Sequence, residues 1–174
     1  MLSILIPVYN FNVTSLIGEL LNQAEKLNIQ FEIICFDDKS KSKFLHANDN
    51  LRNLENVNYK ILKENIGRSK IRNLLASESK YEYLLFLDCD IKISNPDFLE
   101  NYINQISNND VIIGGLEYES FDNTDKNKLL RWAYGKNREE KKAIKRCKKP
   151  YLAFSVCNLF IKKSITKKIL FSRS

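Results

Sequence analysis

Short, unbroken apolar runs recur at roughly thirty-residue intervals along this chain, each followed by a polar turn and then by apolar residues at helical spacing. The first run, Ser3-Ile4-Leu5-Ile6-Pro7-Val8-Tyr9, reads as a buried strand ending near Pro7. Thr14 or Ser15 is placed to cap a helix carrying Ile17, Leu20, Leu21, Ala24 and Leu27 on one face. Phe31 to Phe36 is a second strand, stopped by Asp37-Asp38-Lys39-Ser40, and after a polar helical stretch Val57 to Leu62 is a third. Asn65-Ile66-Gly67 then turns into a helix with Ile71, Leu74 and Leu75, and Tyr83 to Leu87 is a fourth strand. Asn95 is expected to cap a further helix with Pro96 at its first position and Phe98, Leu99, Tyr102, Ile103 and Ile106 inward, ahead of the strand Val111-Ile112-Ile113 and its stop, Gly114-Gly115.

This alternation predicts an α/β fold with a mostly parallel central sheet flanked by helices, since strands buried on both faces read as continuous apolar runs. The pattern weakens after residue 120. Asp122 to Lys128 is polar and loop-like, Leu129 to Tyr134 an amphipathic turn, Arg138 to Lys149 a charged helix or lid, and Tyr151 to Ile161 apolar and strand-like.

Functional groups in open α/β sheets gather at the carboxyl ends of parallel strands. Four such ends carry polar or turn residues here: Pro7 to Asn10, Asp37-Asp38, Asn65 to Gly67 and Asp88-Cys89-Asp90. The last is the most informative. Two carboxylates one residue apart repel each other unless a cation lies beside them, and hard oxygen ligands suit Mg²⁺ or Mn²⁺.

Composition narrows the class. With 174 residues, 44% of them hydrophobic, the chain is long enough for one domain with a real core. No apolar run approaches the roughly 18–20 residues of a membrane span, and Met1 to Pro7 lacks a secretory n-region, so a cytoplasmic location is expected. Cys35, Cys89, Cys147 and Cys157 form no C-x-x-C pair and read as reduced thiols. His46, the single histidine, sits on a polar stretch, which argues against a histidine-based triad.

Charge is distributed unevenly. Residues 141–174 hold eleven of the 28 Lys and Arg and no acidic residue, so the first 140 are net −4, 17 basic against 21 acidic, in a chain of net +7. Such a segment reads first as a solvated face of a Lys-rich chain; the alternative is an attractor of phosphate, with peripheral contact with a membrane ahead of nucleic acid.

Taken in order, Ile4-Leu5-Ile6-Pro7-Val8-Tyr9-Asn10, Phe36-Asp37-Asp38-Lys39-Ser40, Asn65-Ile66-Gly67 with Arg72-Asn73, and Phe86-Leu87-Asp88-Cys89-Asp90 resemble the inverting family 2 glycosyltransferases of GT-A fold, the Rossmann-like fold of nucleotide-diphospho-sugar transferases. The resemblance covers residues 1 to about 115, and more loosely Tyr151 to Ser164. It implies a single GT-A domain over 1–174, with a nucleotide-sugar-binding half at 1–115 and an incomplete acceptor-side portion at 116–174. It further implies a UDP-sugar donor, a saccharide or glycolipid acceptor of the kind used in polysaccharide biosynthesis, and Mn²⁺ or Mg²⁺. Donor-binding positions would be Pro7, Val8, Tyr9, Asn10, Asp38, Asn65, Gly67, Arg72, Asp88, Cys89 and Asp90. Within that set Asp38 would accept from the uracil N–H, Asp88 would hold the ribose, Arg72 would pair with Asp88 or the diphosphate, and Asp90, with Asp88, would carry the metal.

The chain departs from the family in its general base. Family members place it in a short acidic motif beyond a segment resembling Phe154 to Ser164, whereas this chain has no acidic residue after Glu140. Glu117, Glu119 and Asp122 are the candidate substitutes, and the chain is expected to be a truncated form that binds donor and transfers slowly. Other readings fare worse: the first strand lacks the G-x-G-x-x-G of a dinucleotide-binding turn, and no P-loop is present. A sugar nucleotidyltransferase would need a Gly-rich first loop. The rival of a different class is a non-catalytic nucleotide- or partner-binding remnant of the same fold.

Overall fold

The computed structural model describes residues 1–121 and 128–172. It contains strands β1 (Leu2–Val8), β2 (Phe31–Asp37), β3 (Val57–Ile61), β4 (Tyr83–Leu87), β5 (Val111–Ile113) and β6 (Asn158–Lys162) in one sheet of order β3-β2-β1-β4-β6-β5. The helices are α1 (Thr14–Lys26), α2 (Ser42–Asn48), α3 (Arg68–Glu78), α4 (Phe98–Ile103), α5 (Leu129–Tyr134), α6 (Ala143–Lys148) and α7 (Lys163–Thr166). Strands β1 to β4 pair in parallel, while β6 runs antiparallel to both β4 and β5. The mixed α/β architecture with a mostly parallel sheet is the one that the apolar runs predict.

Side chains that alternate along a strand explain why those runs are unbroken. From β1, Leu2, Ile4, Ile6 and Val8 pack with Leu16, Ile17, Leu20 and Ala24 of α1, whereas Leu5 joins Ile71, Leu75 and Ala76 of α3 on the other face. From β4, Leu85 and Leu87 join the α1 side, and Leu84 and Phe86 the α3 side. Neither face of the central strands meets water, so their positions are apolar except where a buried polar group finds a partner, as Ser3 does in donating to Glu32 at 2.6 Å. The sheet is thereby fixed in register, and its carboxyl ends are delivered to one rim.

Element ends depart from the sequence expectation in several places. Helix α1 begins at Thr14, and its cap comes from upstream: Asn12 Oδ1 accepts from Thr14 N at 3.0 Å and from its hydroxyl at 2.8 Å. Helix α4 starts two residues beyond Pro96, because Asn95 forms a turn, accepting from Asp97 N at its side chain and from Phe98 N at its carbonyl. Gln23 of α1 bridges this junction, donating to the Asn95 carbonyl at 3.0 Å and accepting from Leu99 N at 3.1 Å. The apolar texture of 151–161 becomes a strand only from Asn158, since Pro150–Ala153 is a 3-10 turn; the charged stretch 138–149 is α-helical only over Ala143–Lys148, after a π-helical turn at Gly135–Glu139. Most of the Asp122 to Lys128 stretch, including Asp122, lies outside the described residues. No helix among the described residues is long and apolar enough to cross a membrane.

Candidate functional site

Three loops meet where β1, β2 and β3 end. The turn after β1 is fastened to the turn after β2: Asn10 N donates to Ser40 Oγ at 2.7 Å, and Lys41 N donates to Asn10 Oδ1 at 2.8 Å. Asn10 adopts a positive φ of 52°, which asparagine tolerates better than most residues. Asp37 is fully buried at the end of β2, where Ser40 N at 2.7 Å and the Tyr59 hydroxyl at 3.1 Å donate to its two oxygens.

Asp38 then closes the β3–α3 loop. Its Oδ1 accepts from Ile66 N at 2.7 Å and its Oδ2 from Gly67 N at 2.9 Å, while Asn65 Nδ2 donates to its carbonyl at 3.0 Å. Gly67, at φ 83°, supplies the left-handed turn that brings both amides round to one carboxylate. Asp38 is 5% exposed, so the protein's own amides have first claim on it, and each oxygen keeps one lone pair for a ligand donor. Lys39, also at positive φ, adds a further tie by donating to the Lys63 carbonyl at 2.8 Å. The rim formed by these three strand ends is a stapled unit rather than three separate loops.

At the end of β4, Asp88 N donates to the Cys157 carbonyl, continuing the ladder with β6. Asp88 Oδ1 receives Arg72 Nη2 at 2.5 Å, so the structure brings together the first of the two partners expected for Arg72. The Arg72 side chain is 9% exposed and that of Asp88 33%. Arg72 Nε is buried without a partner, a spare donor beside the acidic loop. Cys89 is half-buried, and burial raises its thiol pKa; Cys157 is raised for the same reason. Asp90 is exposed and takes part in no hydrogen bond or ion pair among the described residues.

A divalent ion fits this set in a limited way. No cluster of three or more His, Cys, Asp or Glu side chains among the described residues forms a cage. Mg²⁺, however, is ordinarily held by one or two carboxylates together with substrate phosphates and water. Asp90 is open for that role, and Asp88 has one oxygen outside its Arg72 pair.

On the β6 side of β4, the β5 exit is packed tightly. Tyr102 donates its hydroxyl to Asn158 Oδ1 at 2.5 Å, Asn158 Nδ2 donates to the Gly115 carbonyl at 3.2 Å, and Gly114 N donates to the Asn158 carbonyl at 2.8 Å. A Cβ at Gly114 would overlap both the Asn158 amide and the Tyr102 hydroxyl, so only glycine fits. Asn158 was not singled out in the sequence; its signal is a lone amide inside an apolar strand, which demands buried partners.

The candidate bases do not converge on Asp90. Glu117 is exposed, and Glu119 is exposed and paired with Lys92 at 2.9 Å. Sequence reasoning passed over Glu139 and Glu140, which gather around Tyr118. The Tyr118 hydroxyl donates to Glu139, whose carboxylate also receives Arg131 in two bonds of 3.1 Å. Tyr118 N donates to Glu140 at 2.9 Å, and Lys136 donates to Glu140 and to the Tyr118 carbonyl. The Tyr118 hydrogen bond, followed by Arg131, holds Glu139 below the usual carboxylate range, and Lys136 with the Tyr118 amide does so for Glu140. Carboxylates held in this way are poor proton acceptors near neutrality.

The sequence model of the family described as Glycosyl transferase family 2 matches residues 3–170. Chondroitin synthase of Escherichia coli is 30% identical over 121 residues, which is 67% of this chain and 17% of that protein. The poly(ribitol-phosphate) beta-N-acetylglucosaminyltransferase TarS of Staphylococcus aureus strain Mu50 is 33% identical over 92 residues, 51% of this chain and 16% of that protein. The crystal structure of S. aureus TarS 1-349 in complex with UDP-GlcNAc matches with a TM-score of 0.64 at 22% identity, covering 96% of this chain and 46% of that one. The mannosyltransferase PcManGT from Pyrobaculum calidifontis, in complex with GDP-Man and Mn²⁺, matches at 0.61 and 15% identity, with coverage of 96% and 46%. The chain therefore spans about a sixth of these curated relatives and less than half of these structures. At such identity the structural likeness is one of fold, and the fold is GT-A.

Proposed function

The chain belongs to glycosyl transferase family 2, and from that premise we propose that its rim binds a UDP-sugar with a divalent cation for inverting transfer to a saccharide or lipid-linked acceptor. The observation that carries this reading is the stapled rim: Asp38 joined to Ile66 and Gly67, Arg72 paired with Asp88, and Asp90 left open beside them. Uracil would meet the Pro7 to Asn10 backbone and a spare lone pair of Asp38. Asp88, oriented by Arg72, would accept from a ribose hydroxyl. Asp90 would hold Mn²⁺ or Mg²⁺, which when bound supplies Lewis-acid stabilisation of a departing diphosphate. Transfer through an oxocarbenium-like state also requires a carboxylate that takes the acceptor proton. Nucleotide-binding residues belong to 1–115, and the acceptor side to 116–174, facing the cytoplasm.

Calorimetric titration with UDP, GDP and NAD⁺, with and without Mn²⁺, tests the reading. UDP should bind most tightly and lose affinity without the metal, and Asp90→Asn should remove the metal effect while sparing uridine. UDP affinity indifferent to Mn²⁺ would end the proposed role of Asp90.

A second reading is favoured by one observation. Each acidic side chain described between residues 116 and 140 is exposed or engaged at Lys92, Tyr118, Lys136 or Arg131. This chain alone would then bind donor without turning it over, as a nucleotide-binding member of the family. Measured sugar transfer by the isolated chain decides between the two.

A further inference from the structure

The lysine-rich segment plays no part in the donor rim, yet its structure is specific. Arg146 of α6 reaches inward: its guanidinium donates to the Lys141 carbonyl at 2.6 Å and to the Ile113 carbonyl at 3.5 Å, and it lies against Gly115. The helix is thereby pinned to the β5 exit by one of its faces. Ile144, two residues earlier and about 200° round the helix, faces away and is 74% exposed. Lys148 shares its face at i+4. One turn further, Tyr151 is 73% exposed, Leu152 66% and Phe154 54%, with Lys141, Lys142, Lys145 and Lys149 also exposed around them.

From this we infer that residues 141–154 form a docking surface for an anionic lipid bilayer, with Ile144, Tyr151, Leu152 and Phe154 entering the interface and the lysines contacting headgroup phosphates. Charge complementarity selects the occupant, because residues 141–174 contain eleven basic and no acidic side chains. The exposed aliphatic pair Ile144 and Leu152 separates lipid from nucleic acid, since phosphate tracking needs no aliphatic contact, whereas interfacial segments combine Lys and Arg with apolar residues. Placement adds a use. Gly115 touches Arg146 and accepts from Asn158, which follows Cys157, and Cys157 pairs with Asp88. A bilayer held at 141–154 would lie on the acceptor side of the rim, where a lipid-anchored acceptor would be presented. The surface itself does not depend on the transferase reading.

The experiment is co-sedimentation of the full chain with vesicles of phosphatidylcholine alone or with added phosphatidylglycerol, at low and high salt. Binding should require the anionic lipid and weaken with salt. Replacing Lys145, Lys148 and Lys149 together by Gln should lower affinity roughly five-fold per lysine, on the order of 100-fold in all. Ile144→Ser with Leu152→Ser should weaken vesicle binding while leaving affinity for a short RNA duplex unchanged. All five side chains are exposed, and circular dichroism of each variant reports an intact fold. Equal binding to neutral and anionic vesicles would overturn the inference. So would preference for the RNA duplex with no effect of the Ser pair, or a dimer that the Ser pair dissociates in a chain that ignores vesicles.

Discussion

Residues 1–115 and the described residues beyond them, 116–121 and 128–172, are held together by different forces. In the first region the order comes from burial: the central strands are apolar on both faces, and Ile4, Leu5, Ile6, Leu84, Leu85 and Phe86 are wholly inaccessible. In the second, the described residues between β5 and β6 take their order mainly from polar ties, while Ile165 and Phe171 beyond β6 rest on the core. Tyr118 uses its amide, carbonyl and hydroxyl to gather Lys136, Glu140 and Glu139, while Leu130 remains 83% exposed and Ile144 74%. Apolar burial is worth about 1.5–3 kcal/mol per large side chain, whereas a typical hydrogen bond nets about 0.5–1.5. The first region is therefore the stable scaffold and the second the more readily opened part.

The largest effect expected from this contrast is in paired core and surface truncations. Phe86→Ala should cost about 3–5 kcal/mol, since Phe86 is fully buried and packs edge-on to Phe171 at 5.2 Å. Leu130→Ala should change stability by no more than about 0.5 kcal/mol. Urea unfolding followed by circular dichroism measures both, and comparable losses would erase the distinction.

The same physics decides what could be read from the sequence. Unbroken apolar runs report strands buried on both faces, so β1 to β4 and the placing of Asp88 and Asp90 at a strand end were legible from the order of apolar and polar residues alone. Partners in space were not. That Asp38 binds the amides of Ile66 and Gly67 depends on how β2 and β3 lie side by side, and one dimension of sequence carries no such information. The direction of β6 was hidden too, because an apolar strand has the same texture in either orientation. Helix starts were misjudged where Asn12 formed a turn ahead of Thr14 and Ser15, the expected caps, and where Asn95, itself the expected cap, formed a turn so that the helix begins only at Phe98.

Next in size is Arg72→Ala. It removes a nearly buried guanidinium from the 2.5 Å pair with Asp88, but Asp88 is one-third exposed and can hydrate, so the expected loss is about 1–3 kcal/mol. The sharper readout is donor affinity, since Asp88 would lose its orientation. Arg72→Lys should restore part of the stability and less of the UDP binding, because a single ammonium cannot reproduce the fork. Full recovery by Lys would reduce the pair to a point charge.

Asn73→Ala probes the seam between the regions. Asn73 Nδ2 donates to the Phe171 carbonyl at 3.0 Å and its Oδ1 accepts from Phe171 N at 2.9 Å, so one side chain of α3 brackets the C-terminal strap. The loss should be about 1 kcal/mol. Amide hydrogen exchange should accelerate around Phe171 and leave β1 and β2 unchanged, whereas faster exchange throughout the sheet would mean that the two regions open together.

The smallest effect expected is one of pH, confined to the second region. Glu139 is held below the usual carboxylate range by the Tyr118 hydroxyl first and Arg131 after it. A carboxylate whose folded pKa is depressed binds fewer protons in the folded than in the unfolded state. Its stabilising contribution is thus complete above the unfolded value of about 4.3 and disappears as pH falls through the folded one. Because the Arg131 partner is 64% exposed and Glu139 32%, solvent screens the pair, and the contribution is on the order of 0.2–1 kcal/mol. Trp132, the single tryptophan, reports on this place directly, since its indole N–H donates to the Glu119 carbonyl at 2.8 Å, one residue from Tyr118. Acidification below about pH 4.3 should therefore change Trp132 fluorescence before the far-ultraviolet dichroism of the sheet responds. Tyr118→Phe should move that fluorescence transition to higher pH by removing the largest cause of the depression. Coincident transitions by the two probes, unmoved in the Phe variant, would show that the polar cluster does not open separately from the apolar core.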